Sequence, residues 1–157
     1  MITLHALNAE FVGELYSSWT DTAEKLFSQK RIDTETLKKI RWLETFGRLI
    51  GNTDMHHGNI SFFIEGGKLI GLAPVYDMLP MMYAPQQNQL VERSFDPASP
   101  KASELSVWIE ALAAALDFWT RVGSHSQISE EFKKLTAENE QRLSKLSQLA
   151  ALLPSKK

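Results

Sequence analysis

Two stretches decide how this chain is read: Gly51-Asn52-Thr53-Asp54-Met55-His56-His57-Gly58-Asn59 and, beyond a strand-like run, Leu72-Ala73-Pro74-Val75-Tyr76-Asp77. Between them Ile60, Phe62 and Ile64 alternate with Ser61, Phe63 and Glu65, the period of a mostly buried strand. Gly66-Gly67 supplies the two positive-φ residues that a tight hairpin turn wants, and Leu69 to Ala73 make the return strand, so a hairpin is expected over 60–73. Upstream, Leu37, Ile40, Leu43, Phe46 and Ile50 recur at helical spacing behind Asp33 or Thr34 as N-cap. This predicts a helix over 34–50 that Gly51 stops. One loop, 51–59, then joins helix to hairpin, and a second, 74–83, carries Asp77.

Working outward, helices dominate. Phe11, Val12, Leu15, Tyr16 and Trp19 fall on one face of a helix from Ala9 to Trp19, and a shorter helix carries Ala23, Leu26 and Phe27 before Lys30-Arg31, giving N-terminal helices over 9–30. Residues 84–100 contain Pro85, Pro97 and Pro100 around Gln86-Gln87-Asn88-Gln89, which is loop chemistry. A helix over 103–122 would bury Leu105, Trp108, Ile109, Leu112, Leu116 and Trp119, with Gly123 after it. The last, over 129–152, starts at Ser129 with Glu130-Glu131 in its first turn and would bury Phe132, Leu135, Leu143, Leu146 and Leu149. The fold class expected is mainly α with a small β-hairpin, in one domain over 1–157.

Composition narrows the function classes. A chain of 157 residues with 43% hydrophobic content fills one core, and a net charge of −2 argues against nucleic acid or a membrane surface as the main partner. There is no cysteine, hence neither disulfide nor thiolate metal site, which suits a reducing cytoplasm. No apolar run reaches the ~18 residues that span a bilayer.

The chemistry lies in the oxygen ligands. Asp54 precedes Asn59 by five positions, the offset at which a protein-kinase catalytic loop places the Asp that accepts the substrate hydroxyl proton and the Asn that holds magnesium. Asp77, after the hairpin, would complete the site. Mg²⁺ is a hard cation that prefers oxygen, keeps several waters and takes phosphate oxygens for the rest, so two loops suffice. Asp77 stands between Val75-Tyr76 and Met78-Leu79, and a carboxylate in apolar surroundings wants a cation or a donor.

Asn52 through Ser61, followed by Leu72-Ala73-Pro74-Val75-Tyr76-Asp77-Met78-Leu79, resembles the C-terminal domain of HipA-like serine/threonine kinases, the toxin kinases of bacterial toxin–antitoxin modules. The resemblance is specific across about residues 34–83. It implies the C-lobe of a protein-kinase-like fold, with Asp54 as catalytic base and with Asn59 and Asp77 holding Mg²⁺ against the phosphates of ATP. His56 falls where that family tends to carry His, to touch phosphate or brace the loop. The resemblance also implies a protein substrate and an antitoxin partner. Gly58 departs from it, since several members carry a basic residue immediately before the Asn.

A kinase needs an N-lobe as well, with a strand lysine and a glycine-rich phosphate cover. No Gly-x-Gly-x-x-Gly, Gly-x₄-Gly-Lys-Ser/Thr or Val-Ala-Ile-Lys stretch is present. The expectation is therefore a C-terminal portion whose N-lobe is absent, incomplete as an enzyme by itself. Two other readings stand beside it: a small-molecule phosphotransferase of kinase-like fold, and a non-catalytic helical module that binds a partner. The Leu-Ala-Pro-x-Tyr-Asp run favours the HipA-like reading over the former, and joint retention of Asp54, Asn59 and Asp77 favours it over the latter. His56 and His57 beside Asp54 also suggest a Zn²⁺ or Mn²⁺ site, but adjacent histidines on an extended loop point apart, so hydrogen bonding or packing is the better expectation. Trp19, Trp42, Trp108 and Trp119 at helical spacing read as core.

Overall fold

The computed structural model describes residues 1–85, 93–97 and 99–151. It opens with a two-residue strand, β1 (Ile2–Thr3), and a helix, α1 (Leu4–Phe11), where the sequence predicts one helix from residue 9 to 19. The reason is local. Gly13 adopts φ +75°, and its N–H donates to the Asn8 carbonyl at 2.7 Å, closing α1. The Asn8 side chain then ties down Glu14, donating to its carbonyl at 2.6 Å. A fresh helix, α2 (Trp19–Ser28), starts from a capping box between Ser18 and Asp21. Leu15 and Tyr16, expected on a buried face, are 89% and 99% exposed.

The next helix, α3 (Thr34–Leu49), starts from Asp33, whose carboxylate accepts the Thr36 N–H at 2.8 Å. Leu37, Ile40 and Ile50 are buried, with Leu43 and Phe46 half-buried. Strands β2 (Ser61–Glu65) and β3 (Lys68–Leu72) form the hairpin, with Gly66 and Gly67 both at positive φ in its turn. The sheet is antiparallel and three-stranded in the order β1-β2-β3, with Ile2 opposite Phe62. β1, unforeseen in the sequence, is too short to show a period. Ile60 and Phe62 are buried, but the outer half of the hairpin is not: Phe63 and Ile64 are exposed beyond a register shift between them.

The remaining helices are α4 (Trp108–Ser124), preceded by a 3₁₀ turn at Ala102–Glu104, and α5 (Glu130–Ala151). α4 starts later than predicted, and its buried face runs through Trp108, Ala111, Leu112, Ala115 and Trp119. Leu105 and Ile109 lie outside that face and are exposed; Ala111 and Ala115 occupy it instead, as small residues do where helices pack closely. On α5, Leu143 is buried and Phe132, Leu135 and Leu146 are half-buried, while Thr136 and Asn139 are unexpectedly buried too. The Leu149 side chain and the whole glutamine run, 86–89, of the polar 84–100 loop lie outside the described residues. Within that loop Phe95 is buried beside Trp119, ring centroids 6.1 Å apart.

Two apolar clusters result. One joins the sheet, α1, α2 and the first half of α3; the other joins the end of α3 to α4 and α5. Trp19, Trp108 and Trp119 are core, and Trp42 stacks on Phe46 at 5.1 Å. No helix among the described residues is long and apolar enough to cross a membrane.

Candidate active site

The loop that leaves α3 is set by its helix end. Gly51, at φ +74°, turns the chain, and the Asn52 N–H donates to the Gly47 carbonyl at 2.8 Å. Asn52 is buried, and its Oδ1 accepts the Asp54 N–H at 3.0 Å, an Asx turn. Asp54 itself is exposed. A 3₁₀ turn at His57–Asn59 then brings Asn59 inward, where it is only 2% exposed.

Asn59 is the meeting point. Its Nδ2 donates to the Asp54 carbonyl at 3.0 Å and lies 3.4 Å from the Asp77 carboxylate. With the amide hydrogens so placed, Oδ1 is left as an acceptor. Asp77 arrives from the hairpin in the left-handed region, φ +59°, a conformation that strains a residue with a Cβ and that clusters at functional sites. It is exposed, and its neighbours Val75, Tyr76 and Leu79 are exposed too. The apolar burial expected for this carboxylate is thus absent: the loop crosses the surface around Asp77, while Met78, Met82 and Tyr83 turn inward to the clusters. The Tyr76 hydroxyl donates to the Gly58 carbonyl, a second tie between the loops.

The two histidines do different things. The Nδ1 of exposed His56 accepts the Gly58 N–H at 3.1 Å, so His56 braces its own loop. A Cβ at residue 58 would stand 2.8 Å from that nitrogen, which accounts for glycine there: a side chain would displace the ring. His57 turns the other way, its Nε2 2.8 Å from the Thr22 hydroxyl and 3.5 Å from that of Ser17. Burial, followed by the nearby His5, pushes its imidazole pKa below the ordinary value, with Glu44 opposing. Trp19 completes the hold on the loop by donating its indole N–H to the His56 carbonyl at 2.9 Å.

The structure thus places Asp54, His56 and Asn59 on one loop and brings Asp77 onto Asn59. Among the described residues no group of three or more His, Cys, Asp or Glu is gathered to hold a metal, and His56 and His57 turn to different partners. Sequence reasoning missed Asn52, for which the signal was an Asn two residues before the Asp. It also missed Trp19 and Thr22 as loop anchors, a role that helical periodicity does not encode.

Comparison with known proteins gives the same direction. The family described as the HipA-like C-terminal domain matches residues 3–148. The chain is 32% identical over 156 residues to Toxin YjjJ of Escherichia coli (strain K12), an alignment covering 96% of this chain and 34% of that protein. The chain therefore spans about a third of the length of that curated relative. No solved structure matches.

Proposed function

The chain belongs to the HipA-like C-terminal domain family, and from that premise we propose that it carries the catalytic loop of a serine/threonine protein kinase, transferring the γ-phosphate of ATP to a protein hydroxyl. The observation that carries this reading is the convergence on Asn59, which grips the Asp54 backbone and lies against the Asp77 carboxylate. The Asn59 Oδ1 and the Asp77 carboxylate are two oxygen donors of the kind Mg²⁺ accepts when phosphate and water fill its other positions. When bound, Mg²⁺ would neutralise charge on the phosphates. Asp54, exposed on its loop, would orient the substrate hydroxyl and take its proton as the oxygen bonds to the γ-phosphorus and the bond to the departing ADP breaks. His56 would brace this loop. Catalysis of this kind is positioning and charge placement, and the paired loops supply the positioning.

The N-lobe that covers ATP would come from the rest of a longer protein, as the share of Toxin YjjJ that is matched suggests; an antitoxin would be the natural partner of such a toxin. Calorimetric titration of Mg²⁺ and ATP into the full-length gene product tests the reading. Binding that Asp77→Asn abolishes is expected. A folded Asp77→Asn protein that binds and phosphorylates as well as wild type would remove the metal assignment, and silence in both would favour a partner-binding module.

A further inference from the structure

We propose that Asn52 is a positioning residue that locks the Asp54 and Asp77 loops into one register. The inference rests on the kinase reading for its consequence, but its geometry stands independently. Asn52 is 4% exposed and uses both ends of its amide: Oδ1 accepts the Asp54 N–H at 3.0 Å, and Nδ2 donates to the Asp77 carbonyl at 3.3 Å. Asn59 holds the same two residues from the opposite side, through the Asp54 carbonyl at 3.0 Å and the Asp77 carboxylate at 3.4 Å. The contacts close a ring, Asn52–Asp54–Asn59–Asp77, in which each aspartate is gripped twice and each grip comes from a buried amide.

The ring has an anchor and a load. Its anchor is α3, through the Asn52 N–H on the Gly47 carbonyl at 2.8 Å. Its load is Asp77, whose φ of +59° persists only where surroundings over-determine it. The Asn52 bond to the Asp77 carbonyl fixes that backbone, and the Asn59 contact fixes the direction of its carboxylate. Asn52 touches neither phosphate nor hydroxyl in this scheme; it makes the aspartates meet before any ligand arrives. The Asn52 amide presents an acceptor to one loop and a donor to the other.

Two variants separate the halves of the device. Asn52→Ser keeps a hydroxyl for the Asp54 N–H two residues on but is too short to reach Asp77; Asn52→Leu removes both bonds while keeping the branched four-atom shape. Each is compared with wild type and Asp77→Asn by Mn²⁺ titration under electron paramagnetic resonance, and by amide hydrogen exchange at Asp54. Expected are at least tenfold weaker Mn²⁺ binding in both Asn52 variants, and faster Asp54 exchange in Asn52→Leu alone. Should Asn52→Leu fail to fold, Asn52→Ser carries the test through its metal affinity. Wild-type affinity and unchanged exchange in folded variants would overturn the proposal. If wild type and Asp77→Asn bind Mn²⁺ equally, the metal reading falls, and the ring is judged on exchange alone: faster in Asn52→Leu sustains it, unchanged overturns it.

Discussion

At the scale of single residues, the site is bought with backbone strain at Asp77, and that strain is measurable. A left-handed residue with a Cβ costs roughly 1–2 kcal/mol more than glycine there, less for Asp than for most. Asp77→Gly should therefore be about 1 kcal/mol more stable to urea than Asp77→Ala, although both lose the carboxylate; equal stabilities would mean that the φ of +59° is not held in solution. His57 makes a second residue-scale prediction. Its folded pKa is lowered, chiefly by burial, so the unfolded chain binds its proton first as pH falls. Above the ordinary imidazole value of about 6.5 both states are neutral and stability is unaffected. Below it the unfolded state gains the proton, and stability drops until the folded pKa is passed. The midpoint temperature of wild type should thus fall below about pH 6.5 more steeply than that of His57→Gln, a difference that a pH series of thermal melts would show or refute.

Polar contacts also tie element to element, among them an ion pair on a buried carboxylate. Arg48, in the last turn of α3, meets Glu104 of the 3₁₀ turn through Nη1 at 2.5 Å and Nη2 at 3.1 Å, while the Lys101 N–H donates to the same carboxylate at 2.9 Å. Glu104 is 2% exposed. Arg48→Met leaves that buried carboxylate without its cation and should cost about 3–5 kcal/mol in urea unfolding, most of which Glu104→Gln on the same background restores; a cost under 1 kcal/mol would show that the pair is not buried in solution. No periodicity announces such a pair, since its partners are 56 positions apart. That limit separates what was legible from what was not. Helix α3, the hairpin turn and the Asp54–Asn59 loop were readable because capping, helical period and glycine turns are local. The break at Gly13 was local too, but the apolar run through Leu15, Tyr16 and Trp19 imitated one continuous face. β1 is defined only by its pairing with β2, and the inner face of α4 only by what packs on it. At the site, residue types were legible; the burial of Asn52 and the exposure of Asp77 depend on where two distant loops cross.

Across the whole molecule, α3 belongs to both apolar clusters. Leu37 and Ile40 lie in the cluster with the sheet, α1 and α2, whereas Leu49 and Ile50 lie in the one with α4 and α5. Met78, next to Asp77, packs against both. The candidate site thus sits where the clusters share a helix end and a methionine, and neither should melt without disturbing it. Ile40 and Leu143 are each fully buried in opposite clusters, so Ile40→Ala and Leu143→Ala should each cost about 2–5 kcal/mol. The tryptophans divide the report: Trp19 senses the first cluster, Trp108 and Trp119 the second. If α3 couples the clusters, both variants unfold in one transition, with tryptophan fluorescence and far-ultraviolet circular dichroism coincident. If instead the clusters are independent, Leu143→Ala lowers the midpoint seen by Trp108 and Trp119 and leaves that seen by Trp19 alone, as paired Trp→Phe backgrounds would resolve. Coupled unfolding is the outcome that the shared helix requires, because the loop bearing Asp54 starts at its last turn.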